Sequence, residues 1–115
     1  MNIQSEVEFF SELGTIDKAR LLLAVAAEIA EEAKVGAPGG ELSRLKFTNE
    51  INQRLTRFAN QVISEDASRP QDDVVIRMLL GTRLDKDAER IVHNAYARIL
   101  NSFESFDTTV LLNTR

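Results

Sequence analysis

The sequence predicts an all-α fold: a compact bundle of three long amphipathic helices and two short ones, in a single domain of 115 residues. Apolar residues recur at helical spacing along most of the chain. Two prolines and five glycines leave few interruptions, and the short connections favour antiparallel neighbours. The predicted long helices cover about 16–35, 41–66 and 86–104, and the short ones about 5–13 and 70–80.

The first short helix is indicated by a capping signal at its start. Ser5 is followed three residues later by Glu8, the pattern in which the serine caps an amide and the glutamate reaches back. Gly14 then supplies a natural end. A helix of this length does not persist alone, so we expect Phe9 and Phe10 to attach it to the main body.

The first long helix contains the longest apolar run in the chain, seven residues that begin at Leu21. Its main core stripe is predicted at Ala19, Leu22, Leu23, Ala26, Ile29, Ala30 and Ala33. Leu21 and Val25 lie outside this stripe, and if exposed they form a patch that a small monomer seldom tolerates. We expect self-association through these two residues in a homodimer, or a cover made by the chain's own ends. The glycine-rich segment 36–40 ends the helix.

The second long helix combines a narrow core seam with a polar face. The seam is predicted at Phe47, Ile51, Leu55, Phe58 and Val62. Asn49 and Asn52 stand in the helix interior although asparagine is a poor helix former. Nearby Arg54 and Arg57 have the forked geometry that binds a carboxylate or phosphate. As a hypothesis, these four residues mark a partner-binding surface. The competing interpretation is that the asparagines hydrogen-bond a neighbouring helix while the arginines pair with Glu50 in water.

Capping signals also place the last two helices. Ser68 and Gln71 form a second capping signature, before a short helix whose apolar residues point nearly all round and which Gly81 ends. Asp85 is a candidate cap for the last long helix. Its core stripe is predicted at Ala88, Ile91, Val92, Ala95, Ile99 and Phe103. Residues 107–115 have no helical pattern, and we expect a tail that is extended or frayed.

The composition excludes several kinds of chemistry. There is no cysteine, so thiol nucleophiles, disulfides and thiolate–metal sites are excluded. The net charge of −4 divides evenly, −2 for residues 1–57 and −2 for 58–115, which argues against nucleic acid as a partner. The longest apolar run is far below the roughly 20 residues that span a bilayer, and no secretory signal opens the chain. We therefore expect a cytoplasmic, bacterial protein.

His93, the one histidine, is the candidate for general acid–base chemistry, with Glu89 one helical turn before it. An ordinary ion pair on the surface of the helix is the favoured interpretation of these two residues. A single histidine without cysteine also offers little for a transition-metal site.

An acidic motif, E-x-x-E-E, is formed by Glu28, Glu31 and Glu32. It is similar to the motif of the all-helical nucleotide pyrophosphohydrolases, in which E-x-x-E and a second acidic motif on a facing helix hold magnesium. The later candidate, Glu104 to Asp107, falls at the end of the last predicted helix rather than in its middle. A solvated acidic face is the favoured interpretation, with the metal site as the alternative.

The segment from Val74 to Leu100 has the order of a helix–turn–helix unit. Its second helix begins with Asp85, Asp87 and Glu89, whose charge is wrong for phosphates. We therefore predict a regulatory protein, adaptor-like or inhibitor-like, that acts by binding a protein partner rather than by catalysis and needs no cofactor. The alternatives are a magnesium-dependent nucleotide hydrolase and a helix–turn–helix DNA-binding protein.

Overall fold

The computed structural model confirms the all-α class. It describes residues 2–36, 42–65, 67–82, 84 and 86–114, and it describes only the backbone at 33–36, 42–45, 47, 87 and 103–114. The regular structure in these ranges consists of helices: α1 (Ile3–Glu12), α2 (Thr15–Gly36), α3 (Leu42–Ile63), α4 (Asp72–Leu79) and α5 (Lys86–Thr114).

The central helix of the bundle is α2, which packs along α3 and also along α5. Because only residues 37–41 connect α2 to α3, these two helices of 22 residues each run antiparallel. The short helices α1 and α4 pack mainly against each other. All five helices contribute to one core cluster. Its largest fully buried side chains include Tyr96, Phe10, Leu22, Ile29 and Leu79. The α1–α4 pair is thus joined to the main bundle through a shared apolar core.

The predicted stripe of α2 is buried at Ala19, Leu22, Ala26 and Ile29, but the buried side also extends beyond it. Leu21 and Val25 are both 0% exposed, whereas Leu23, which was assigned to the core, is 41% exposed. Glu28 lies in the same helical row and binds Arg98 of α5. The prediction that Leu21 and Val25 form a self-association surface is wrong, because both side chains are buried in the core of the chain's own fold.

The start of α1 also differs from the prediction. Asn2 is the N-cap, and its side-chain oxygen accepts a hydrogen bond of 2.8 Å from the backbone N–H of Gln4. Ser5 consequently lies inside the helix and does not cap it. An asparagine three residues upstream satisfies the free amides of a longer helix equally well, so the helix begins one turn earlier.

The start of α4 lies later than the prediction. The N-cap position is occupied by Gln71, which forms no side-chain capping bond, and Ser68 lies outside the helix. The first turn instead contains Asp72 and Asp73, whose negative charges are favourable at the positive end of the helix dipole. Pro70 disfavours helical geometry at the residue before it, which agrees with the later start.

The last helix is longer than predicted. It continues to Thr114, ten residues beyond the expected end at 104, so 107–114 are helical rather than extended. No glycine or proline follows Gly81 in the sequence, and nothing stronger than β-branched residues opposes the helix there. Each of these costs only a few tenths of a kcal/mol of helix propensity relative to better helix formers.

The predicted stop at Gly81 is confirmed, and its geometry is a Schellman motif. Gly81 has φ +70°, its N–H donates to the carbonyl of Met78 at 3.0 Å, and the N–H of Thr82 donates to the carbonyl of Arg77 at 3.2 Å. The N–H of Leu84 then donates to the Gly81 carbonyl at 3.2 Å. These bonds fix the course of the chain after α4.

Gly81→Ala is expected to lower the free energy of unfolding by about 2 kcal/mol. A left-handed backbone costs a non-glycine residue about 1–2 kcal/mol. In addition, a Cβ atom at Gly81 would lie 2.8 Å from Cγ and 3.1 Å from Cα of Glu89 in α5. Urea denaturation measures the loss. Gly14→Ala is the control, since a Cβ atom there meets nothing within 4 Å; equal losses for the two variants would contradict this explanation.

Candidate functional site

A groove of about 240 Å³ lies between α3, α4 and the turn that follows α4; we call it the α3–α4 groove. Its lining comprises Arg54, Phe58, Val74, Arg77, Met78, Thr82 and Leu84. The volume is below the roughly 300–1,000 Å³ of sites for drug-sized molecules. The groove therefore has the size for one or two apolar side chains of a partner.

The apolar lining of the groove remains partly in water. Val74 is 48% exposed, while Phe58, Met78 and Leu84 are half-buried and pack against the core. These side chains come from α3, from α4 and from the turn after α4, so the groove forms only when the three segments are assembled. Burying apolar area of this kind is favourable by about 25 cal/mol per Å².

The charged residues of the lining are two arginines, Arg54 on α3 and Arg77 on α4. No aspartate or glutamate lines the groove in the part of the chain that the structure describes. Among the described residues, neither guanidinium group has an ion-pair partner. The groove is thus locally basic in a chain of net charge −4, and its arginines are available for a carboxylate or phosphate.

The α4 wall of the groove is held in place by polar contacts at its start. Asp72, the first residue of α4, accepts a hydrogen bond from Ser11 of α1 at 2.6 Å and from Lys18 of α2 at 3.3 Å to each carboxylate oxygen. Lys18 is 9% exposed, and its Nζ lies 5.4 Å from the centre of the Phe10 ring, within the range of a cation–π contact. With the Gly81 turn at the other end, α4 is fixed at both of its ends.

A second polar contact attaches α1 to α5. The buried hydroxyl group of Tyr96 donates a hydrogen bond to the carboxylate of Glu6. Tyr96 is not part of the core stripe predicted for α5, and the sequence predicts neither this bond nor the contacts of Asp72. The partners are 90 residues apart in the first case and 61 or 54 in the second, so no local spacing relates them.

The four residues predicted as a partner-binding surface have different surroundings in the structure. Asn52 is half-buried, and its amide donates to the backbone carbonyl of Ala26 in α2, so it stabilises the packing of two helices. Arg54 lines the groove. Asn49 and Arg57 are exposed but lie outside the groove lining. Of these four residues, Arg54 is the one that lines the groove. Asn52 has the structural role of the competing interpretation, a hydrogen bond to a neighbouring helix.

The acidic motif on α2 faces α5 in part. Arg98 pairs with Glu28 at 2.7 Å and with Glu32 at 2.6 Å, and these two side chains are only about a quarter exposed. The hydrogen bond to Glu28 is the largest cause that raises the pKa of Arg98 above its ordinary value, followed by the charge of Glu32. Glu28 and Glu32 are therefore partly shielded from water by Arg98, whereas Glu31 is exposed as predicted.

The same ion pairs bear on the magnesium alternative. Two carboxylates of the E-x-x-E-E motif already share one arginine as their ion-pair partner, and this arginine competes with a cation for them. Among the described residues, no group of three His, Cys, Asp or Glu side chains is arranged to hold a metal ion. The second acidic stretch, residues 104–107, lies outside the described side chains.

The remaining candidates from the sequence are distributed along α5. His93 is half-buried and Glu89 is exposed, and the structure gives no hydrogen bond or ion pair between them, so the expected ion pair is not formed. The connection from α4 to α5 covers six residues, 80–85, longer than the three to four that are typical of a helix–turn–helix unit.

None of the helices in the described part of the chain is both long and apolar enough to cross a bilayer. Comparisons with protein-family models, with curated proteins and with solved structures give no match to this chain. Function is therefore inferred from the geometry and chemistry of the chain itself.

Proposed function

We propose that this chain is a protein-interaction module, adaptor-like or inhibitor-like, that binds its partner through the α3–α4 groove. The observation that carries this proposal is a concave, partly exposed apolar lining edged by two arginines that have no partner among the described residues. Aromatic residues, methionine and arginine are the residue types that protein interfaces favour.

The other exposed apolar residues do not line the groove, and this difference supports the groove as the binding surface. Ile16, Leu23 and Ile63 are also exposed, at 73%, 41% and 55%. They lie outside the groove lining. Isolated exposed apolar residues are normal on soluble proteins and need no partner. A groove encloses an inserted side chain on several sides, so the same apolar area gives more contact there.

The proposal is tested by placing a charge inside the groove. Val74→Glu is expected to abolish retention of the partner when the tagged chain is purified from cells of its source organism, because the carboxylate would lie in the apolar lining. Leu23→Glu is the matched control, since it makes the same kind of change at a similarly exposed apolar residue outside the groove. Circular dichroism checks that both variants are folded.

The captured protein must depend on the groove to count as a partner. A protein retained by wild type and by Leu23→Glu, and lost with Val74→Glu, supports the proposal. Loss with Leu23→Glu alone would place the binding surface elsewhere. If every retained protein is unaffected by either change, the interaction through the groove is wrong.

A further inference from the structure

We infer that the segment bound in the α3–α4 groove is acidic as well as apolar: one or two large apolar side chains with a carboxylate on each side. This inference depends on the proposed function and specifies its ligand. It follows from where the two arginines stand relative to the apolar lining.

Each arginine lies one helical turn from an apolar lining residue of its own helix. On α3, Arg54 precedes Phe58 by four residues, and on α4, Arg77 follows Val74 by three. Side chains at these spacings are neighbours, with Cβ atoms about 5–6 Å apart. Arg54 belongs to α3 and Arg77 to α4, so the two positive charges of the lining come from different helices. A segment with carboxylates before and after its apolar residues would contact both.

The preference for an acidic segment is confined to the groove, because the chain as a whole is negatively charged. The chain carries 18 acidic and 14 basic residues, so its overall field repels an acidic partner at long range. The groove lining contains only positive charge among its described residues. An acidic segment therefore gains electrostatic energy at the groove although the chain as a whole repels it, which gives specificity more than affinity.

Arginine also binds phosphate, so nucleic acid is the competing ligand. It is disfavoured because the chain's net charge is −4 and because Phe58, the one aromatic residue in the lining, is half-buried against the core. Binding of single strands uses open aromatic faces on which bases stack, within a continuous basic surface. A carboxylate-bearing peptide uses both features of the groove, the apolar lining and the separated arginines.

Three labelled peptides of equal length test the inference: a leucine pair flanked by glutamates, by glutamines or by lysines. Fluorescence anisotropy against the full chain is expected to give the strongest binding for the glutamate peptide and the weakest for the lysine peptide. Arg54→Glu/Arg77→Glu is expected to weaken the glutamate peptide about tenfold and to make the lysine peptide the better ligand. Arg57→Glu is the matched control, since it reverses an exposed charge on α3 outside the lining.

The outcomes separate this inference from the proposed function. Equal affinity for all three peptides, with loss of binding in Val74→Glu, would overturn the acidic preference and leave the groove as the binding site. An equal effect of Arg57→Glu and the double variant would also overturn it, because general electrostatics would then suffice. Tighter binding of a labelled single-stranded oligonucleotide than of the glutamate peptide would overturn it in favour of nucleic acid. Binding of none of the peptides would count against the groove itself.

Discussion

Leu21→Ala is expected to lower the free energy of unfolding by about 2–5 kcal/mol, the cost of removing a leucine side chain from a well-packed interior. Leu21 is 0% exposed and belongs to the core cluster. The variant would therefore leave a cavity inside that cluster. Chemical denaturation followed by circular dichroism measures the change in free energy.

Leu23→Ala is the matched control for that experiment. It makes the same chemical change two residues away, but Leu23 is 41% exposed, so we expect a loss of less than about 0.5 kcal/mol. The two variants together show which face of α2 is buried in the core. If Leu23→Ala were the more damaging, the stripe predicted from the sequence would be the true core and the packing described above would be wrong.

Asp72→Ala is expected to lower the free energy of unfolding by about 2 kcal/mol. Breaking a buried ion pair costs about 3–5 kcal/mol because one charge is left without its partner, and the figure is reduced here since the Asp72 side chain is 28% exposed. Lys18 would lose its carboxylate while its own side chain is 11% exposed, and Ser11 would lose its acceptor. Because Asp72 holds the start of α4, binding of the glutamate peptide should also weaken.

Asp73→Ala is the control, since it removes an exposed carboxylate from the same first turn of α4. Both variants lose the favourable interaction with the helix dipole, which is worth about 0.3–1 kcal/mol. Only Asp72→Ala breaks the contacts with α1 and α2. Lys18→Met combined with Asp72→Ala is expected to recover part of the loss, because no buried ammonium group then lacks a partner. Equal losses for the two single variants would contradict the role given to Asp72.

The sequence predicts the class and, apart from the end of α5, the approximate bounds of the helices, because their periodicity, caps and breaks are local signals. It does not predict which residues of α2 face the core. A run of seven apolar residues from Leu21 onward makes several stripes nearly equivalent, and local spacing cannot choose between them. In the fold the buried face of α2 is defined by packing against α3 and α5, which are distant in the sequence.

The candidate site was predicted only in part, for a related reason. Arg54 was identified from its own helix, but the groove also needs Val74, Met78 and Leu84, which follow it by 20 to 30 residues. The sequence does contain a signal for the α4 residues: apolar side chains point nearly all round this short helix, more than one packed face requires. Surplus apolar residues are present on both α2 and α4, but those of α2 are buried in the fold, whereas Val74 of α4 remains exposed.

The binding surface is tested most directly by methyl NMR of the full chain during titration with the glutamate peptide. The methyl signals of Val74, Met78 and Leu84 are expected to shift in proportion to the bound fraction, because these side chains line the α3–α4 groove. The signals of Ile16 and Ile63, which are exposed outside the groove, should stay in place. Shifts confined to Ile16 and Ile63, with the groove methyls unchanged, would contradict the assignment of the groove as the binding site.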